Sequence, residues 1–160
     1  MRVGIVGLGK MGRVFVDRLL GAGFEVAVWN RSPGPAEEAG KKGATIAASP
    51  AELARVSDIV LTIVTDEKAF PQIFEASDGL LAGDPTGKLF VEMSTVAPPA
   101  HAALEQTVKA AGGDFIECPV SGSVAVAPAW DLARTSRTCQ RLSNSNAGGP
   151  TRTSRLRPGS

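Results

Sequence analysis

Several residue types are scarce in this 160-residue chain, and each scarcity excludes a class of function. There is no tyrosine, and only 5% of the residues are aromatic, which argues against a stacking platform for single-stranded nucleic acid. The cysteines, Cys118 and Cys139, are too few and too far apart for a metal knuckle or a redox pair. A reduced, cytoplasmic protein is therefore predicted.

Long apolar runs are missing as well. No run reaches the roughly 18 residues of a membrane-spanning helix, so no membrane association is predicted. Lys10 and Arg13 interrupt the N-terminal apolar stretch, which is not the pattern of a secretory signal.

The net charge of +1 conceals two unlike parts of the chain. Residues 1–126 contain 11 Lys and Arg against 15 Asp and Glu, whereas residues 127–160 contain six Arg, no Lys and one acid, Asp131. Large apolar residues are rare in this second part, so burial cannot offset an ordering entropy of roughly 1–2 kcal/mol per residue. We predict a folded domain over residues 1–126 and a disordered or misassembled tail over residues 127–160. Six arginines outside a folded domain give only non-specific attraction, so no nucleic-acid partner is predicted.

Short apolar strands alternate with helices up to residue 126. Strands are predicted at residues 2–6, 25–29, 45–47, 58–64, 89–93 and 114–118. Helices are predicted at residues 10–20 and 98–111, after a capping box at residues 49–52, and from Asp66 to about Glu75. This alternation predicts an α/β fold, doubly wound, with a mainly parallel sheet and helices on both faces.

A glycine-rich segment, G-x-G-x-x-G at residues 7–12, joins the first predicted strand to the first predicted helix. That is the context in which this motif binds a dinucleotide. Gly7 permits the tight turn, Gly9 lets the backbone approach a pyrophosphate, and Gly12 lets helix and strand pack closely. The helix N-terminus then offers N–H groups and a positive dipole end to the phosphates. The alternative is a glycine-rich turn with no ligand.

The end of the second strand bears on the choice of cofactor. A carboxylate there would bind the ribose 2′-hydroxyl of NAD, but the chain has Asn30, Arg31 and Ser32. Arg31 can bind a 2′-phosphate, and its two neighbours can add hydrogen bonds. NADP is therefore favoured, and NAD remains possible. In the alternative interpretation, Arg31 stacks on adenine without discriminating between the two.

Five motifs occur in the order found in one family of oxidoreductases. They are VGIVGLGKMG at residues 3–12, WNRS at 29–32, IVTD at 63–66, EMSTV at 92–96 and CPVSG at 118–122. On these residues the chain resembles the 3-hydroxyisobutyrate dehydrogenases, the β-hydroxyacid dehydrogenases related to 6-phosphogluconate dehydrogenase. The resemblance covers the Rossmann-like N-terminal domain only.

The resemblance implies roles for individual positions. The cofactor would be bound by Gly7, Leu8, Gly9, Lys10, Met11, Gly12, Asn30, Arg31, Ser32, Val64, Thr65 and Thr95. The substrate, a small 3-hydroxy acid, would be bound by Ser121, Gly122 and Ser123. The family transfers a hydride between nicotinamide and the hydroxy acid, and it uses a lysine as general acid/base beyond the substrate motif.

The chain also departs from the family pattern. No lysine follows Lys109, so no catalytic residue is assigned in this chain. Ser123 and Trp130 stand where the family usually has glycine, and the resemblance stops after Leu132. We expect a shifted reading frame or truncation, with a short paralogue as the competing account. Either way the sheet would be incomplete at its C-terminal end, and the helical C-terminal domain and its oligomer contacts would be absent.

Two functions follow as expectations. One is an NAD(P)-dependent oxidoreductase of the 3-hydroxyisobutyrate dehydrogenase type, present as a truncated cofactor-binding domain that is itself inactive. The other is a non-catalytic NADP(H)-binding module. His101, the only histidine, has no orienting partner that the sequence reveals, and Cys118 is expected to be a small buried residue.

Overall fold

A computed structural model describes residues 1–120 of the chain. The strands are β1 (Arg2–Val6), β2 (Glu25–Trp29), β3 (Thr45–Ile46), β4 (Ile59–Thr62), β5 (Leu89–Glu92) and β6 (Asp114–Glu117). The α-helices are α1 (Lys10–Gly21), α2 (Pro33–Lys41), α3 (Pro50–Arg55) and α4 (Pro98–Ala110). Three shorter helical segments lie between β4 and β5, at Glu67–Ala69, Pro71–Glu75 and Leu80–Gly83.

The six strands form one sheet in the order β3-β2-β1-β4-β5-β6. Every pair is parallel, with Gly4 of β1 opposite Ala27 of β2 and Val60 of β4. This is the doubly wound Rossmann order, with the chain reversing its direction of winding between β1 and β4. The predicted fold class is confirmed.

Two apolar clusters cover the two faces of the sheet. One contains Val60, Phe90 and Phe115 of the sheet beneath α3, α4 and the short helices. The other contains Ile5 and Val28 beneath α1 and α2. Alternate residues of a strand face opposite sides, and both sides are apolar here because helices lie on both.

The helix predicted from Asp66 to about Glu75 is present as a helical segment, but not as a regular α-helix. The chain forms a 3₁₀ turn at Glu67–Ala69 and then a π-helical turn at Pro71–Glu75. Pro71 has no N–H to donate to the preceding turn, so a continuous α-helix cannot pass through it. The sequence pattern also missed α2, which is small and glycine-containing, and the short segment Leu80–Gly83.

The predicted capping box at the start of α3 is present in a modified form. Ser49 Oγ accepts from the Glu52 N–H at 3.1 Å. The Glu52 carboxylate reaches back to the Ala48 N–H at 2.6 Å, one residue before the cap.

Among the described helices, none combines the length and the apolar character that a membrane span requires.

Candidate functional site

Two glycines of the loop between β1 and α1 are required by the packing of the chain itself. Gly7 has a φ of +91°, and a Cβ there would lie 2.0 Å from the carbonyl oxygen of Ile63. A Cβ on Gly12 would lie 2.0 Å from the carbonyl oxygen of Gly7. The first glycine therefore lets β1 and the end of β4 approach closely, and the last lets α1 pack against the loop, as the motif predicted.

Gly9 differs from both, because a Cβ there would meet no atom within 4 Å. Its φ of −68° is also open to any L-residue, and it is the N-cap of α1 without a side-chain cap. The first N–H groups of an α-helix have no intrahelical partner. The space beside Gly9 therefore borders a helix N-terminus that suits an anion.

Asn30 at the end of β2 holds this loop in place. Its Oδ1 accepts from the Leu8 N–H at 2.9 Å, and its Nδ2 donates to the Ser32 carbonyl at 2.9 Å. The Gly7 N–H donates to the Trp29 carbonyl at 3.2 Å. The amide of Asn30 thus positions the glycine loop from the end of the neighbouring strand β2.

A cleft of about 500 Å³ opens at the carboxyl ends of β1, β2 and β4, in the range of small-molecule sites. It brings together seven of the predicted cofactor-binding residues from three separate loops. These are Gly7, Gly9, Asn30, Arg31, Ser32, Val64 and Thr65.

The other predicted cofactor residues do not line this cleft. Leu8 is buried, and its side chain packs in the core with Met11 against it. Lys10 is exposed at the start of α1, and Gly12 is buried against the carbonyl group of Gly7. Thr95 is exposed after β5. Ser121, Gly122 and Ser123, the predicted substrate residues, lie outside the described residues.

The cleft also has a wall that the motif analysis missed. It comes from the segment after β4 and includes Asp66, Lys68, Ala69, Gln72 and Ile73. Asp66 Oδ1 accepts from the Lys68 N–H at 2.9 Å and so begins the 3₁₀ turn. Only the position of this segment in the sequence could have indicated its role. A segment that follows a strand of a parallel sheet begins at the carboxyl edge of the sheet, where ligands bind.

A buried polar cluster lies at the ends of β5 and β6. Glu92 is fully buried, and its carboxylate accepts from the Ser94 N–H at 3.0 Å, from the Ser94 hydroxyl, and from His101 Nε2 at 2.6 Å. His101 Nδ1 lies 3.0 Å from Glu117 Oε1 but is not aligned for a hydrogen bond. His101 therefore has an orienting partner that the sequence did not reveal, Glu92, which lies nine residues away on another element.

The ring of His101 stacks on Phe70, with centroids 6.5 Å apart. Cys118 is buried, as predicted. In residues 1–120, no group of three or more His, Cys, Asp or Glu side chains could hold a metal ion.

An open doubly wound sheet with a glycine loop facing a cleft at the strand-order reversal defines a dinucleotide-binding domain. The family described as the NAD binding domain of 6-phosphogluconate dehydrogenase matches residues 2–134. The chain belongs to this family, and its domain is an NAD(P)-binding domain. The predicted resemblance, restricted to the N-terminal domain, is confirmed.

Three relatives illustrate this membership. The cytokine-like nuclear factor N-PAC of Danio rerio is 41% identical over 122 residues, which cover 76% of this chain and 26% of that protein. The structure of Psf3 in complex with NADP+ and 2-OPP is 35% identical, with a TM-score of 0.73, over 77% of this chain and 44% of that one.

The third is the 3-hydroxyisobutyrate dehydrogenase of Mycobacterium tuberculosis with L-serine. It is 25% identical, with a TM-score of 0.72, over 78% of this chain and 42% of that one. The chain thus spans about a quarter of N-PAC and less than half of each of the two solved structures.

Proposed function

We propose that this chain is the NADP-binding domain of an oxidoreductase of the 3-hydroxyisobutyrate dehydrogenase type. Such an enzyme transfers a hydride between nicotinamide and a small 3-hydroxy acid or its semialdehyde. The observation that carries the proposal is the combination of an open helix N-terminus at Gly9 with a cation, Arg31, at the neighbouring strand end.

The glycine loop fits a pyrophosphate. Gly9 borders open space on the cleft side, while Gly7 and Gly12 are fixed by contacts within the chain. A phosphate beside Gly9 would receive N–H groups from the first turn of α1 together with the helix dipole. When bound, the nicotinamide cofactor supplies the hydride chemistry, and the protein orients it.

The end of β2 favours NADP over NAD. Its three residues include no carboxylate that would repel a 2′-phosphate, and Arg31 and Ser32 are exposed at the cleft. Lys68 lies on the facing wall and adds a second cation. Because both atoms of the Asn30 amide are engaged within the chain, we assign Asn30 to positioning the loop and Arg31 to the 2′-phosphate.

The substrate part of the proposal rests on the residues after β6. Ser121, Gly122 and Ser123 remain the proposed contacts to the substrate carboxylate. We also propose a cofactor domain over residues 1–126 and a tail over residues 127–160, whose boundary lies outside the described residues. A cytoplasmic location is a further proposal. No lysine follows Lys109 in the sequence, so no general acid/base is assigned in this chain.

A second candidate is a non-catalytic NADP(H)-binding module. The similarity to N-PAC, a protein named as a nuclear factor, favours it. The two candidates share the cofactor cleft and differ only in turnover.

Calorimetric titration of the chain with NADP+ and with NAD+ tests the shared part. We expect tighter binding of NADP+. Arg31→Ala should raise the Kd of NADP+ by about 10- to 100-fold, since a charge-assisted contact contributes roughly 1.5–3 kcal/mol, and should change the Kd of NAD+ by less than about threefold. Arg55→Ala, an exposed arginine at the end of α3, is the matched control and should leave both values unchanged. Equal losses for the two cofactors would instead mean that Arg31 stacks on adenine.

Turnover separates the two candidates once binding is established. NADP+ reduction is followed at 340 nm (the absorbance of NADPH) with 3-hydroxyisobutyrate and with L-serine. Reduction above the rate without substrate supports the oxidoreductase. Binding without turnover supports the module for this chain.

A further inference from the structure

A peptide unit outside the glycine loop borders the cofactor cleft, and a buried side chain on the neighbouring strand accepts its N–H. This unit joins Ile63 to Val64, just beyond the end of β4. Its carbonyl oxygen lies against Gly7, so closely that a Cβ on Gly7 would be 2.0 Å away. Its N–H belongs to Val64, which lines the cleft.

The N–H of Val64 donates to Ser94 Oγ at 2.8 Å. Ser94 is 2% exposed and follows β5, the next strand in the sheet. A serine hydroxyl can rotate, so it specifies an orientation only when its own proton has a fixed acceptor. That acceptor is the carboxylate of Glu92.

Glu92 is itself fixed from two sides. It receives the Ser94 N–H and His101 Nε2, and no part of its side chain reaches solvent. The arrangement aims the lone pairs of Ser94 Oγ at Val64 and so determines the plane of the 63–64 peptide.

We propose that Ser94, oriented by Glu92, is a positioning residue of the cofactor cleft. It sets the 63–64 peptide, whose carbonyl oxygen is one wall of the Gly7 turn. The inference rests on the proposed function, since it concerns how tightly NADP binds.

The test compares two buried serines. Ser94→Ala removes the acceptor of the Val64 N–H. Ser57→Ala removes a hydroxyl that is also 2% exposed and that donates to the Leu53 carbonyl at 2.7 Å. Ser57 precedes β4, at the end of the sheet away from the cleft. Ser94→Ala loses two buried hydrogen bonds, those with the Val64 N–H and with the Glu92 carboxylate, and Ser57→Ala loses one. Ser94→Ala should therefore lose more stability in urea unfolding than Ser57→Ala.

Titration of the full chain with NADP+ should separate them. Ser94→Ala should raise the Kd about tenfold, and Ser57→Ala should change it less than twofold. Ser94→Thr, which keeps the hydroxyl, should restore most of the affinity. Equal Kd changes in the two alanine variants, or an unchanged Kd in Ser94→Ala, would overturn the proposal.

Amide hydrogen exchange provides a readout that needs no cofactor. The Val64 amide should exchange slowly in the wild type and faster in Ser94→Ala, but not in Ser57→Ala. Fast exchange in the wild type would overturn the proposal even if no variant folds. If the wild type binds no NADP+, the proposed function fails and this inference falls with it. If the wild type binds and the serine variants do not differ, only this inference fails.

Discussion

Replacing Gly9 by alanine tests whether a glycine is required at this position by a bound ligand or by the packing of the chain. A methyl group at this position meets no atom within 4 Å, and the backbone at φ −68° accepts an L-residue. Alanine is a poorer N-cap than glycine, which costs on the order of 0.5–1 kcal/mol. The lost freedom of the unfolded chain contributes about 0.4–1 kcal/mol in the opposite direction. The free energy of unfolding should therefore change by less than about 0.5 kcal/mol.

Cofactor affinity should respond differently. The added methyl group occupies the space in which a pyrophosphate would approach the N–H groups of α1. Losing one or two charge-assisted hydrogen bonds, at roughly 1.5 kcal/mol each, corresponds to a 10- to 100-fold rise in the Kd of NADP+. The assay pairs urea unfolding with calorimetric titration on the same preparation.

Two other glycines provide the contrast. Gly21→Ala at the far end of α1 also meets no neighbouring atom. It should raise the free energy of unfolding by about 0.4–1 kcal/mol and leave the Kd unchanged. Gly12→Ala places its methyl 2.0 Å from the Gly7 carbonyl oxygen, and it should lose at least about 2 kcal/mol of stability. If Gly9→Ala destabilises the chain as Gly12→Ala does, or binds NADP+ with the wild-type Kd, the assignment of Gly9 to the phosphate is wrong.

Two further predictions concern the strand ends. His101→Phe should lower the free energy of unfolding by about 3 kcal/mol, since it leaves the fully buried Glu92 without one of its three donor groups. Lys109→Ala, which removes an exposed ion pair of the same helix, should change it by less than about 0.5 kcal/mol in the same urea titration; similar losses in both would contradict the role given to His101. Asn30→Asp keeps an acceptor for the Leu8 N–H and adds a carboxylate beside the 2′-phosphate. It should weaken NADP+ binding by about tenfold or more relative to NAD+ in parallel titrations, and an unchanged ratio would place the 2′-phosphate elsewhere.

The expected fold and much of the cleft could be predicted because their signals are local. A buried parallel strand must be apolar on both faces, so each strand is visible in its own few residues. The three glycines of the loop are specified by the turn, by helix packing and by the approach of a phosphate, all within six residues. The strand-end position of Asn30, Arg31 and Ser32 follows from the same local pattern.

The helical segment after β4 was predicted at the right residues, but its irregular geometry was not, and the reason is local. Asp66 is a good N-cap, and it does begin a turn. Pro71 then prevents the α-helical hydrogen bond, and the apolar side chains that follow, Ile73 and Phe74, are buried in a π-helical turn instead. The result is a wall of the cleft of which the sequence motifs include only Asp66.

The sequence alone determined the doubly wound sheet, the glycine loop and the absence of a carboxylate at the end of β2, because each depends on residues adjacent in the chain. Only the tertiary structure decided which polar side chains face the cleft and which serve the fold. The polar side chain of Asn30 is of the type that binds ligands, but its Oδ1 accepts a hydrogen bond from the N–H of Leu8, 22 residues away. Glu92 and His101 meet only because α4 packs on the face of the sheet formed by β5 and β6. Such a tertiary contact leaves no pattern in the sequence that a local interpretation could detect.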